Sequence, residues 1–368
     1  MKDENAQRLL AKVMKWGDED IFREYIPKLM LMAEYKYDHY QRFGPGKRFI
    51  ESLSLWLNQF DEKDRQAALE LVTEHLVFIS ESEFSHLVQM AYPDVIVQER
   101  ICLIAEEKGI PDYNVGSIVN DRRFEELRLK TLYLGLSDGA RTSELRRASH
   151  NEINNEQIWQ AYELSRNKVK DMIEELGGFL NKLGLEISDP RFNIIWLLDD
   201  FSGSGNSYIR YDSKTNKWKA KIKKIYERLN QGDLIDTSHY EIFLLLYVAT
   251  RQAVDHIEYW SERFASEYGY KSLKVKVLCI LEKETKLTKN SSSEIEELIN
   301  NNNYYDNSAS DSHIEVGGTT DARWGFASCA LPVILSHNTP NNSVYILWGP
   351  EEYKIHGLFP RVSRHREF

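Results

Sequence analysis

Cysteine is scarce in this sequence. Cys102, Cys279 and Cys329 are the three in 368 residues, widely spaced and without a Cys-x-x-Cys pair. That spacing argues against the disulfide framework of a small secreted domain and offers no zinc signature. Basic charge is in deficit, with 47 Lys and Arg against 57 Asp and Glu and a net charge of −10. A dedicated duplex-DNA binder is usually basic overall, so that class is disfavoured, although a local basic site is not. No uninterrupted apolar run approaches the ~18 residues needed to span a bilayer. The opening Met1-Lys2-Asp3-Glu4 is charged and lacks a signal-peptide apolar core. A cytoplasmic protein with no membrane association is expected. The ten histidines show no His-Glu-x-x-His and no Cys/His cluster, and no Gly-x-Ser-x-Gly elbow supports a Ser-His-Asp hydrolase.

What is present is an ordinary globular balance, 42% hydrophobic and 28% charged, with length enough for two domains. The first third is helical in pattern. Apolar and aromatic residues recur at helical spacing from Asp18 to about Phe43, interrupted by Pro27 and stopped by Gly44-Pro45-Gly46. Asp61 and Asp64 open a stretch in which Leu69, Val72 and Leu76 share a face. Ser80 and Glu83 have capping-box spacing ahead of Phe84, Leu87 and Val88. Pro93 fits a first helical position and Gly109 a C-terminal stop. A helical domain over 1–128 is expected.

The pattern changes near Leu129. Leu132–Leu136 reads as a short buried strand followed by the turn-forming Ser137-Asp138-Gly139. Asn154 and Gln157 have N-cap and N3 spacing for a long helix burying Ile158, Tyr162, Val169, Met172, Ile173 and Leu176. Phe192–Leu198 is a nearly unbroken apolar run, as expected of a strand covered on both faces in a parallel sheet. Ile242–Ala249 and Leu273–Ile280 are two more, with a helical Ala253–Tyr268 between them. Such alternation indicates an α/β domain over 129–368. Within it, the Asn- and Ser-rich 290–310 reads as a surface loop with one short helix at Glu294–Ile299. Val333–Leu335 and Val344–Trp348 read as late strands joined by the turn-like Asn338–Asn342.

The sharpest signal runs from Ile194 to Ser207. A buried strand ends in two carboxylates, Asp199 and Asp200; the loop Phe201-Ser202-Gly203-Ser204-Gly205-Asn206-Ser207 follows, then an expected helix start. Ligands of open α/β sheets bind at strand carboxyl ends. Gly203 and Gly205 allow close backbone approach and positive φ. Successive N–H groups with the Ser204 and Ser207 hydroxyls can cradle an anion. The carboxylates would repel a phosphate set against them but suit ribose hydroxyls one sugar-length away. The order is not that of an NTPase P-loop, because no Lys follows Gly205. The alternative is a polar turn after a core strand.

Apolar strand, Asp-Asp, then Ser-Gly-x-Ser resembles the phosphoribosyl-pyrophosphate loop of type I phosphoribosyltransferases. The resemblance implies a Rossmann-like, mainly parallel α/β fold, here behind an N-terminal all-α domain. It implies that Asp199 and Asp200 take the ribose and that Ser202, Gly203, Ser204, Gly205, Asn206 and Ser207 take the 5′-phosphate. Asn206 stands where that family more often has Gly. Gly139, Ala140, Arg141 and Thr142, after the Leu132–Leu136 strand, then correspond to the pyrophosphate loop. Arg141 is the charge-bearing donor there, suited to a diphosphate by its planar fork; a solvated helix-entry arginine is the alternative. Mg²⁺ is implied with the pyrophosphate, with no metal ligand assigned. Trp56–Asp61, Gly139–Thr142 with Asn155–Gln157, Asn338–Asn342 and Leu358–Arg361 further resemble phosphoribosyltransferase-like proteins of prokaryotic conflict systems. Some of these are encoded beside retron reverse transcriptases in antiphage cassettes.

One departure concerns the catalytic hood. Type I enzymes place a flexible basic loop between two further strands before the phosphate loop, whereas here one long helix and a short connection are expected. Two function classes follow: a phosphoribosyltransferase-like enzyme acting as an antiphage effector, or a non-catalytic nucleotide-sensing or partner-binding module, with a reverse transcriptase or other cassette protein as partner. Arg210–Arg228 carries eight Lys or Arg interleaved with Tyr211, Trp218 and Tyr226. It reads either as a nucleic-acid or polyphosphate surface or as a solvated amphipathic helix. The basic tail at 361–366 reads similarly, or as a segment that closes the site.

Overall fold

The computed structural model describes residues 1–17, 19–161, 165–231, 234–310, 312–350, 352 and 355–362. These residues form nine strands: β1 (Val77–Ile79), β2 (Thr131–Gly135), β3 (Ile158–Gln160), β4 (Ile194–Ser202), β5 (Arg210–Asp212), β6 (Lys217–Lys219), β7 (Glu241–Thr250), β8 (Leu273–Leu281) and β9 (Val333–Leu335). Two compact units are present, one from Met1–Glu83 with Glu282–Phe368 and the other Phe84–Leu281. Residues 84–128 share a unit with the sheet, and the C-terminal segment shares one with the first helices.

The Phe84–Leu281 unit is α/β. Its five strands lie in the order β3-β2-β4-β7-β8, all parallel. Helices Arg166–Lys182, Lys221–Gln231 and Arg251–Tyr268 make the crossovers. β4 and β7 are the central strands, and their apolar residues, among them Ile195, Leu197, Leu244 and Leu246, are fully buried. This is why both runs lack alternation. Trp196 stacks on Phe243 across these strands at 4.3 Å between ring centres. From β2 the chain goes to β3 on one side and then crosses to β4 on the other. The carboxyl ends of β2 and β4 thus flank a topological switch point, the place where open α/β sheets bind ligands.

The capping box at Asn154 and Gln157 is formed, but it caps a single turn, Asn155–Gln157. That turn leads into β3, so Ile158 lies in a strand and the helix starts only at Arg166, capped by Ser165. The Gln157 side chain explains the stop: its amide donates to the carbonyls of Arg128, Leu129 and Thr131 and ties the turn to the start of β2. Tyr162 lies outside the described residues. Gly109 ends the helix Gln98–Lys108 in a left-handed conformation, as expected. Pro93 does not begin a helix; it sits inside the wide turns of Ala91–Val97, where the looser pitch accommodates a residue with no N–H.

The other unit is mostly helical but not all-α, because β1 pairs in parallel with β9. Ser80 and Glu83 form their capping box, with Glu83 accepting from the Ser80 N–H at 2.8 Å. Pro27 lies within the helix Glu19–Tyr35 without ending it. Residues 290–310 are not a surface loop. Ile295, Leu298, Ile299, Tyr304 and Tyr305 are buried, while the Asn301 and Asp306 side chains cap the turns between them. Tyr345–Trp348, expected as a strand, is one helical turn. All four residues are buried, and an apolar run enclosed on every side carries no period to distinguish the two. Three of the recurring motifs meet in this core. The Trp56 indole donates to the Ile346 carbonyl at 2.9 Å, Gln59 pairs with the His356 backbone, and Thr339 donates to the Phe359 carbonyl at 2.9 Å. No helix among the described residues is long and apolar enough to cross a membrane.

Replacing Trp196 with alanine deletes the ring that stacks on Phe243 and opens a cavity at the centre of the sheet. A loss of about 3–5 kcal/mol in urea or guanidinium unfolding is expected.

Candidate functional site

At the switch point β4 runs past its apolar stretch, so that Asp199 and Asp200 belong to the strand itself. Asp199 is 2% exposed. Its Oδ1 accepts from the Ser137 hydroxyl and from the Asp200 N–H at 3.2 Å. Its Oδ2 accepts from the Tyr208 hydroxyl at 2.7 Å and from the Lys221 ammonium at 2.8 Å. Four donors leave little free acceptor capacity. Burial raises the Asp199 pKa, Lys221 pulls the other way, and the Asp200 charge adds to the rise. The Tyr208 hydroxyl is pushed well above its ordinary value by burial and by Asp199, which keeps it a donor.

Asp200 is half-buried, and its Oδ1 accepts from the Phe201 N–H at 2.9 Å. Its other edge lies against the neighbouring loop. A Cβ on Gly139 would come within 2.3 Å of Asp200 Oδ2, so the loop after β2 approaches this closely only with glycine there. The structure brings the 139–142 loop and the acidic pair together. Ala140 is buried and accepts from the Tyr247 hydroxyl at 3.2 Å. Thr142 opens the helix Thr142–Ala148. Arg141 takes a left-handed conformation (φ 50°). Its guanidinium lies 4.8 Å from the Phe84 ring centre and donates to Glu144 at 3.1 Å.

The 202–207 loop is shaped by the next crossover. Of its two glycines, Gly205 takes the positive φ (79°), and a Cβ there would meet the Ala253 carbonyl and His256, both at 2.9 Å. Thr250 donates to the Gly203 carbonyl at 2.6 Å while capping the helix Arg251–Tyr268. Ser204 is buried, and its Oγ accepts from the Asn206 N–H at 3.4 Å. Ser202 Oγ is buried without a partner. Among the described residues, the N–H groups of Ser204, Gly205 and Ser207 donate to no acceptor. The Ser207 side chain is exposed.

No helix starts directly after this loop. The turn at 205–209 is followed by the hairpin of β5 and β6, and the helix begins at Lys221. The Tyr208 carbonyl nevertheless accepts from the Ile222 N–H at 2.8 Å, and the Ser207 carbonyl from Lys221 at 3.4 Å. The hairpin is thus an excursion between a loop turn and the helix that continues it.

The basic segment 210–228 is a hairpin followed, from Lys221, by an amphipathic helix. Ile222, Ile225, Tyr226 and Leu229 are buried, and so is Trp218, whose indole donates to Glu267 at 2.9 Å. Of its three interleaved aromatics only Tyr211 reaches the surface, at 36% exposure, so Trp218 and Tyr226 are not open to stacking. Five of its eight cations are engaged: Arg210 with the Asn206 carbonyl, Lys219 with Asp212, Lys221 with Asp199, Lys223 with Glu227 and Arg228 with the Ala161 carbonyl. Of the basic tail, residues 363–368 lie outside the described residues.

Sequence reasoning missed Ser137, Tyr208, Lys221 and Thr250. Ser137 and Tyr208 flank the expected loops and could have been found as neighbours. Lys221 lies fourteen positions beyond Ser207, across the hairpin, and nothing local marks it.

A parallel sheet with an acidic strand end and two glycine loops at its switch point belongs here to a phosphoribosyltransferase-like protein. The chain is a member of the PRTase-CE family, whose model matches residues 53–361, most of its length. No curated protein and no solved structure matches it.

Two outcomes follow from the Asp199 network. Tyr208→Phe deletes one donor and leaves a buried carboxylate under-satisfied, so a loss of about 1–3 kcal/mol in denaturant unfolding is expected. Lys221→Met removes the cation that holds the Asp199 pKa down, and the folded-state value moves further above the unfolded one. Its stability deficit is therefore smallest at acid pH, with Asp199 protonated in both states, and widens as pH rises through the folded-state pKa. Unfolding curves for parent and variant between pH 4 and 8 check this.

Proposed function

We propose that the two loops bind a 5-phosphoribosyl pyrophosphate-type ligand. The observation that carries this reading is the trio of undonated N–H groups at Ser204, Gly205 and Ser207. Two of them belong to buried residues, where an unpaired backbone donor is costly and an anion answers it. The phosphate lies in this cradle. The ribose diol lies against the acidic pair, and Asp200 is the better acceptor because Asp199 already takes four donors.

The pyrophosphate falls to Gly139, Ala140, Arg141 and Thr142. Among the described residues no group of three or more acidic, His or Cys side chains could cage a metal. Mg²⁺ fits here as an ion carried in on the diphosphate, the usual mode for this cation, with Asp200 as the nearby carboxylate. Bound that way it would neutralise charge on the leaving pyrophosphate. The chain's own part is positioning: Asp199 fixes the ends of β2 and β4 and the start of the next helix, and Asp200 holds the sugar.

We place this activity in an effector of an antiphage cassette, on the resemblance of the motifs alone. A second reading, a nucleotide-sensing or partner-binding module without turnover, is favoured by one feature. Arg141 is held by Glu144 and by the Phe84 ring, which occupies the group expected to meet the pyrophosphate.

Calorimetry with phosphoribosyl pyrophosphate and Mg²⁺ should give micromolar binding, weakened tenfold or more by Asp200→Asn and by Ser204→Ala. Absence of binding by the folded parent protein would overturn the proposal. Binding without pyrophosphate release across a panel of acceptors would select the sensing reading.

A further inference from the structure

Beside the acidic pair lies a cavity of 220 Å³ lined by Leu134, Leu136, Ala161, Lys221, Lys224, Ile225, Arg228 and Leu229. One wall is strand, supplied by Leu134 of β2 and by Leu136 just beyond it. The other is the helix Lys221–Gln231, through Ile225 and Leu229. These four apolar residues are all buried. At the rim the same helix presents Lys221, Lys224 and Arg228, one turn apart and on one face. Arg228 donates to the Ala161 carbonyl at 2.5 Å, and Lys221 bonds Asp199. Lys224 has no hydrogen-bond or ion-pair partner among the described residues. Among the described residues no acidic side chain lines the cavity.

We propose that this slot is a second ligand site, for a single planar ring bearing one acidic group. The volume is below the roughly 300–1,000 Å³ that drug-sized ligands occupy, so it takes one ring rather than a fused system with a sugar. A flat ring buries its faces between strand and helix. A carboxylate on its edge reaches Lys224, with Lys221 on the side toward Asp199. A neutral ring would forgo the attraction of Lys224, the rim cation without a partner among the described residues. The proposal goes beyond the phosphoribosyl reading and does not depend on it, since none of the N–H groups of the 204–207 cradle lines the slot.

The test uses the full chain, with benzoate and its neutral counterpart benzamide as probes, followed by ligand-observed NMR titration. Benzoate should bind at least tenfold more tightly than benzamide. Lys224→Glu should weaken benzoate tenfold or more, and Ile225→Trp, which fills the slot, should abolish its binding. Neither variant should change affinity for phosphoribosyl pyrophosphate, if that ligand binds the parent. Lys224→Glu alters an exposed position and tests the proposal even where Ile225→Trp fails to fold. Equal binding of benzoate and benzamide, no benzoate binding at millimolar concentration, or benzoate binding unmoved by Lys224→Glu would each overturn it.

Discussion

The site depends on one buried carboxylate. Asp199 draws together the turn after β2 through Ser137, the far end of its own loop through Tyr208, and the first residue of the following helix through Lys221. Each of these segments could otherwise settle separately. A buried anion with several donors is worth little as a source of net stability, because its desolvation offsets much of the attraction. What it provides is geometry. Donors converge on it from both loops, and any arrangement that separates them leaves charge unanswered in the interior.

Steric closeness supplies the second constraint. Gly139 meets Asp200, and Gly205 meets Ala253 and His256. The acidic pair is thus fitted between one glycine loop ahead of it and another behind, each seated where a side chain would not fit. His256 adds to this through its ring nitrogen 2.9 Å from the Ile209 carbonyl; burial lowers its pKa and that hydrogen bond pulls the other way.

The α/β sheet was legible because β4 and β7 are buried on both faces and leave long apolar runs at 194–198 and 242–249. The acidic pair and its loop were legible because they follow such a run directly. β3 was not, since three residues at an edge carry no pattern and the preceding capping box points to a helix. The hairpin at 210–219 was hidden by a helical charge pattern that properly begins at Lys221. The grouping of residues 282–368 with the first 83 was hidden for another reason. It rests on contacts such as Trp56 with Ile346 and Tyr40 with Pro360, about 300 positions apart in the chain, which no local periodicity can report.

The excursion at 210–219 has a consequence for how such a chain can vary. Its two ends are pinned by hydrogen bonds from Lys221 and Ile222 back to Ser207 and Tyr208, so the backbone leaves and re-enters at one spot. Closing a longer or shorter loop between pinned ends costs little, with each doubling of length adding only about 0.6 kcal/mol. The position behaves as a socket: a stem of a different length or charge can be exchanged there while the 202–207 loop keeps its shape. A protein built this way can diversify the surface next to the 202–207 loop without redrawing the contacts that shape that loop.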